Sequence, residues 1–104
     1  MLQIEICDGV ATLRMNRPEV HNAFDDALIA ALTAELHRLD ELPEARVIVL
    51  AANGNSFSAG ADLNWMRRMA KYSREENLRD AMALADLMRT LDGVKKPTIA
   101  RVQG

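Results

Sequence analysis

Asn53-Gly54-Asn55-Ser56-Phe57-Ser58-Ala59-Gly60-Ala61-Asp62-Leu63-Asn64-Trp65-Met66 is the stretch on which the reading of this 104-residue chain turns. An apolar run of β-formers, Val47-Ile48-Val49-Leu50, precedes it and predicts a buried strand. A helix-prone segment follows, so a strand hands over to a helix here. Gly60 can take dihedrals closed to other residues, and Ala59 and Ala61 leave no bulk beside it. Asp62 suits the cap of the next helix, accepting from the amide of Asn64 or Trp65. Amides at the mouth of that helix then face outward, with the positive end of its dipole behind them. Such a place can hold a carbonyl oxygen that gains negative charge during a reaction. A tight turn with an ordinary cap explains the same residues, so the rest of the chain has to decide.

Upstream, Gln3 to Cys7 and Val10 to Met15 predict two antiparallel strands around Asp8-Gly9, a favoured two-residue hairpin centre. Asn16-Arg17-Pro18 ends the second strand, because proline cannot continue a ladder. A helix is expected from near Asp25, capped by Asp25 or Asn22. Its apolar stripe is Leu28, Leu32, Leu36 and Leu39, widened by Ile29, and Pro43 marks its end. Downstream, a short helix is expected from about Asp62 to Lys71. Ser73-Arg74-Glu75-Glu76 reads as a capping box that opens a long helix. Leu78, Met82, Ala85, Met88 and Leu91 form the apolar spacing of that helix, and Gly93 is expected to close it in a left-handed cap. Lys95-Lys96-Pro97 leads to a last strand, Thr98 to Val102. The order strand, strand, helix, strand, helix, helix, strand is that of an α/β fold.

Bulk properties narrow the function. A chain of 104 residues is at most one small domain with a modest core. With 49% hydrophobic and 27% charged residues it reads as an ordinary soluble protein. A net charge of −2 gives no general attraction to nucleic acid or to anionic membranes. No run approaches the roughly 20 apolar residues of a membrane helix, and no secretory signal follows Met1, so a cytoplasmic protein is expected. The one cysteine, Cys7, lies among β-formers and is expected to pack rather than react. No His/Cys/Asp cluster has metal-ligand spacing, and Gly54-Asn55-Ser56 lacks the lysine and glycines of a phosphate-binding loop.

Three groups of residues then occur in one order. They are Asn16-Arg17-Pro18 with Asn22-Ala23-Phe24, then Phe57-Ser58-Ala59-Gly60-Ala61-Asp62-Leu63, then Lys96-Pro97-Thr98-Ile99-Ala100 with Val102-Gln103-Gly104. Together they resemble the enoyl-CoA hydratase/isomerase (crotonase) superfamily, over essentially the whole chain. The resemblance implies a single partial domain, residues 1–104, forming the N-terminal portion of the crotonase spiral of ββα units. It implies an acyl-CoA thioester as substrate, with coenzyme A as part of that substrate and no tightly bound cofactor. One oxyanion donor is implied at the backbone amide of Ala61. The second amide and the acid-base glutamates belong, by the same resemblance, to residues beyond the position of Gly104. Coenzyme contacts are implied at Val20, His21 and Ala23, and at Ala59, Ala61, Asp62, Leu63 and Asn64. Family members form trimers or hexamers, so a homo-oligomer is expected of a full-length parent, with no nucleic acid or membrane partner.

Within that frame the expected activity is hydration of an α,β-unsaturated acyl-CoA. An isomerase or another enolate-forming member, and a truncated non-catalytic coenzyme-binding or assembly module, are the alternatives. Glu75 and Glu76 are explained by the capping box, and Glu35, Glu41 and Glu44 by a solvated helix face or turn. His21 and His37 read as loop and surface residues. Arg67, Arg68, Lys71 and Arg74 form a basic run beside the central stretch. It is a solvated face, or it meets the coenzyme's phosphates or an acidic group on the acyl chain; RNA is a weaker option. Asp62 to Met66, the Tyr72-Ser73 helix start and Thr98 to Gln103 resemble the branch that hydrates 3-methylglutaconyl-CoA. Arg67 or Lys71 is the expected reader of that substrate's free carboxylate.

Overall fold

The computed structural model describes residues 1–104 and forms one mixed sheet with three helices. Strands β1 (Leu2–Cys7) and β2 (Val10–Met15) make an antiparallel hairpin in which Cys7 faces Val10. The turn residues Asp8 and Gly9 both have positive φ, 51° and 83°, as a tight hairpin of this twist demands. A single 3₁₀ turn, Pro18–Val20, follows β2; the sequence had not indicated it. Helix α1 (Asp26–Asp40) then crosses to β3 (Val47–Ala52), which pairs parallel to β2. Helices α2 (Leu63–Met69) and α3 (Arg74–Gly93) lead to β4 (Thr98–Ala100), parallel to β3. The sheet order is β1-β2-β3-β4.

The core lies between β2, β3 and α1. Ala11, Leu13 and Met15 alternate inward from β2 and meet Leu28, Ile29, Leu32, Leu36 and Leu39 of α1. Each of those five α1 side chains is at most 2% exposed. Burial at that level stabilises by about 1.5–3 kcal/mol per large side chain. Asp25 caps α1 by accepting from the Leu28 amide at 2.8 Å; Asn22 does not cap it. The helix stops at Asp40, short of Pro43. Its end is met by a distant side chain: Lys96 Nζ donates to Leu39 O in the last turn, and to Leu42 O just beyond the helix at 2.7 Å.

Several expectations need correction. Helix α3 turns Leu84, Leu87 and Leu91 to the core, whereas Leu78, Met82, Ala85 and Met88 lie outside. Only Leu91 of the expected stripe packs inward. The buried face must point at α1, and residues at i, i+3 and i+7 from Leu84 meet it there. Gly93 is helical and has no left-handed cap geometry; the chain leaves through an extended Val94. Strand β3 runs on to Ala52, since Ala51 and Ala52 still pair with Arg14 and Met15. Strand β4 ends at Ala100, opposite Leu50, although the Arg101 amide still donates to Leu50 O at 2.9 Å. Cys7 is exposed, so it is not a packing residue. No helix is long and apolar enough to cross a membrane.

Candidate functional site

The loop from β3 to α2 is tied to the turn after β2 by a short parallel bridge between Phe24 and Ala61. The Phe24 amide donates to Gly60 O at 2.6 Å, and the Asp62 amide donates to Phe24 O at 2.7 Å. The Ala59 amide donates to His21 O at 3.0 Å, and the Gly60 amide to Ser58 Oγ at 3.1 Å. In a parallel rung of this kind the residue between the two bonded groups turns its own N–H the other way. Ala61 is that residue, and its amide makes no hydrogen bond within the chain. Gly60 holds φ at +87°, with open space where a Cβ would stand. Its glycine serves conformation rather than clearance.

Asp62 caps α2 by accepting from the Trp65 amide at 3.0 Å. The same carboxylate takes the guanidinium of Arg17 at 3.3 Å, and Arg17 also meets Asp25 at 3.4 Å and donates to Ala23 O at 2.6 Å. The Trp65 amide holds the Asp62 carboxyl below its ordinary value of 3.8; desolvation opposes this, and the Asn64 amide and Arg17 add to the lowering. Asn22 is fully buried and stitches the two segments together. Its Oδ1 accepts from the Arg17 amide at 2.7 Å, and its Nδ2 donates to Asn53 O at 2.8 Å and Ser56 O at 2.9 Å. From the far end of the chain, Gln103 Nε2 donates to Ala52 O at 2.9 Å and Gly54 O at 3.0 Å, and the Phe57 amide donates to Gln103 O at 3.0 Å.

These ties shape a cavity of about 490 Å³ with nine wall residues. Eight are the expected coenzyme contacts: Val20, His21, Ala23, Ala59, Ala61, Asp62, Leu63 and Asn64. The ninth is Arg67, which with Lys71 was the expected reader of a carboxylate on the acyl chain rather than a coenzyme contact. The structure divides the basic run. Arg68 pairs with Asp26 at 3.0 Å, and neither Lys71 nor Arg74 reaches the cavity. None of Glu35, Glu41, Glu44, Glu75 and Glu76 lines it either. Glu75 and Glu76 stand in the first turn of α3, where Glu76 and Ser73 form both bonds of a capping box. His37 sits away from the cavity, 3.3 Å from Thr90 Oγ1.

The sequence reading missed the roles of Arg17 and Asn22, although both lie in the stretches it quoted. Two consecutive left-handed residues, His21 and Asn22 with φ of 53° and 54°, mark a turn that asparagine tolerates better than most. An asparagine at such a turn, with a lone arginine before the proline, was the available signal.

A sequence model of the enoyl-CoA hydratase/isomerase family matches residues 5–104. The chain belongs to the enoyl-CoA hydratase/isomerase family. An enoyl-CoA hydratase structure from Shewanella pealeana superposes with a TM-score of 0.96 at 46% identity, over 99% of this chain and 39% of that one. An enoyl-CoA hydratase structure from Mycobacterium smegmatis gives 0.90 at 39% identity, over 99% and 40%. An Arthrobacter 4-chlorobenzoyl coenzyme A dehalogenase is 33% identical over 104 residues, 99% of this chain and 38% of its own. The crotonase fold expected from the sequence is therefore present, and the chain spans about two-fifths of the length of the relatives it matches. Family members divide by chemistry on one fold, so the reaction has to be argued from the site.

Proposed function

We propose that this chain carries the coenzyme-binding wall and one oxyanion donor of an enoyl-CoA hydratase. The observation that carries the reading is the Ala61 amide, unbonded within the chain and on the cavity wall, between two residues whose main-chain groups are committed to Phe24. A thioester carbonyl set against that N–H is polarised in the ground state. It is stabilised more as water adds to the β-carbon and the C=C electron pair moves onto the thioester oxygen. The α-carbon then takes a proton. Asp62, the one carboxylate on the cavity, has its oxygens held by Trp65 and Arg17, so it is a scaffold rather than a proton donor. The second amide and the proton-transferring groups are assigned, in this reading, to the additional residues of a family-length chain.

The substrate in this reading is 3-methylglutaconyl-CoA or a related branched, acid-bearing enoyl-CoA, and the assembly is a homo-trimer or hexamer. Support for the substrate is the resemblance of Asp62 to Met66 and Thr98 to Gln103 to that branch. The test places Ala61→Pro in a family-length chain carrying this segment. Removing the amide is expected to lower kcat by about 10²–10³-fold, with fold and coenzyme affinity kept; Ala61→Gly is expected to be mild. A folded, coenzyme-binding Ala61→Pro enzyme with normal turnover overturns the oxyanion assignment.

A further inference from the structure

Helix α3 carries a second apolar row that the core leaves uncovered. Arg74, Leu78, Ala81, Ala85, Met88 and Asp92 follow one another at steps of four, three, four, three and four residues, which puts them on one helix face. All six are exposed, Leu78 at 60% and Met88 at 47%, and Met82 beside them stands at 52%. Alternating steps of three and four mark the seam along which one helix packs on another. The row runs about 27 Å along the axis, nearly the whole of α3.

Opposite charges close the two ends of the row, and each is set against the helix's own dipole. Arg74 is the first residue of α3 and Asp92 stands in its last turn. A cation at the start and an anion at the end both oppose the macrodipole. Neither side chain makes an ion pair within the chain. A second copy of α3, laid antiparallel, removes both conflicts. With the two-fold axis at the level of Ala83, Arg74 meets the partner's Asp92, Leu78 meets the partner's Met88, and Ala81 meets the partner's Ala85. Each charge then also lies beside the end of the other helix whose dipole attracts it. Small side chains at the centre let the two helix axes approach closely. A parallel pair would instead set Arg74 against Arg74 and Asp92 against Asp92.

We propose that α3 is a docking surface for a second copy of this chain, packed antiparallel through Leu78, Ala81, Ala85 and Met88 between two Arg74–Asp92 pairs. The pairing needs no ligand and stands apart from the acyl-CoA reading. One helix pair buries less than the roughly 1,200 Å² of a standard interface, so the association depends on concentration.

Sedimentation velocity is measured from micromolar to millimolar concentration on the unaltered 104-residue chain, on Arg74→Asp, on Asp92→Arg, and on an equimolar mixture of the two variants. Circular dichroism checks the fold. Both substitutions bring the charge into line with the dipole, so neither is expected to unfold α3. The unaltered chain is expected to form dimers. Each variant alone sets like charges together at both ends, and its dimer is expected to weaken by about tenfold or more. Mixed, the two variants oppose unlike charges again and are expected to recover the affinity of the unaltered chain. A chain that stays monomeric throughout leaves the row to another partner, such as further residues of a family-length chain, and overturns the proposal. Dimers that both variants keep show a different surface at work and also overturn it. A loss that mixing does not restore rules out the antiparallel pairing, and the proposal with it.

Discussion

The guanidinium of Arg17 lies 3.3 Å from the carboxylate of Asp62, a contact between residues 45 positions apart. Both groups are poorly exposed, the Arg17 side chain at 18% and that of Asp62 at 6%. Through this pair the turn after β2 and the start of α2 become two walls of one cavity.

Arg17→Ala removes the ion pairs to Asp62 and Asp25 and the bond to Ala23 O at once. Loss of charge-assisted bonds is expected to destabilise the fold by about 1.5–3 kcal/mol, read as a lowered urea midpoint. Coenzyme binding is expected to weaken with it, since Ala23 and Asp62 both line the cavity. Arg17→Lys restores a charge without the fork and is expected to recover less than half of the loss. A midpoint that Arg17→Ala leaves unmoved shows the pair to be incidental.

Asp62 makes stability depend on acid. Its carboxyl is held below the ordinary 3.8 in the fold, first by the Trp65 amide. A lowered folded value means that the unfolded chain takes up the proton first as pH drops. The stabilisation is therefore complete above about pH 3.8 and is lost as pH falls through the lower folded value. Asp62→Asn keeps a capping side chain but not the charge. Its urea midpoint is expected to change less than that of the unaltered chain between pH 5 and the acid limit, and parallel curves would count against the assignment.

Asn22→Leu tests the buried stitch. The substitution leaves Arg17 N, Asn53 O and Ser56 O without the partner they have now. Each orphaned group is half-buried and costs up to about 1–3 kcal/mol, and a bulky side chain at φ +54° adds strain. A loss of several kcal/mol is expected, or failure to fold. The milder Asn22→Asp keeps the acceptor and loses the donor, so amide exchange should rise in residues 53–57 while Arg17 N stays protected. Uniform exchange across both segments would deny Asn22 this role.

Local chemistry made much of this fold legible. Asp8-Gly9 dictates its hairpin, Ser73 and Glu76 their capping box, and Asp62 its bond to Trp65, because each involves groups a few residues apart. The α1 stripe was readable because its large apolar residues all fall on one face, while the exposed face holds only alanine and polar residues. Helix α3 was not, since apolar residues occur on more than one of its faces and only the position of α1 selects Leu84, Leu87 and Leu91. Lys96 capping α1, and Arg17 reaching Asp62, span more than forty residues, and no local spacing announces such a bond. The eight cavity residues were named through family resemblance. Arg67 was set apart from the basic run only together with Lys71, because positions four apart share a helix face, and the fold alone puts Arg67 on the cavity and leaves Lys71 off it.

Gln103 holds the loop before α2 by its side chain at Ala52 and Gly54 and by its carbonyl at Phe57. Synthesis runs in the other direction. When residues 53–57 leave the ribosome, the strap that fixes them follows about 46 residues behind them in the chain. Until it emerges, the loop has only Asn22 and the Phe24 rung to restrain it. Non-local contacts of this kind set in late, after the chain has met the entropy of closing the intervening loop. The cavity is thus among the last parts of this segment to take shape during translation, although its wall residues are made well before the end.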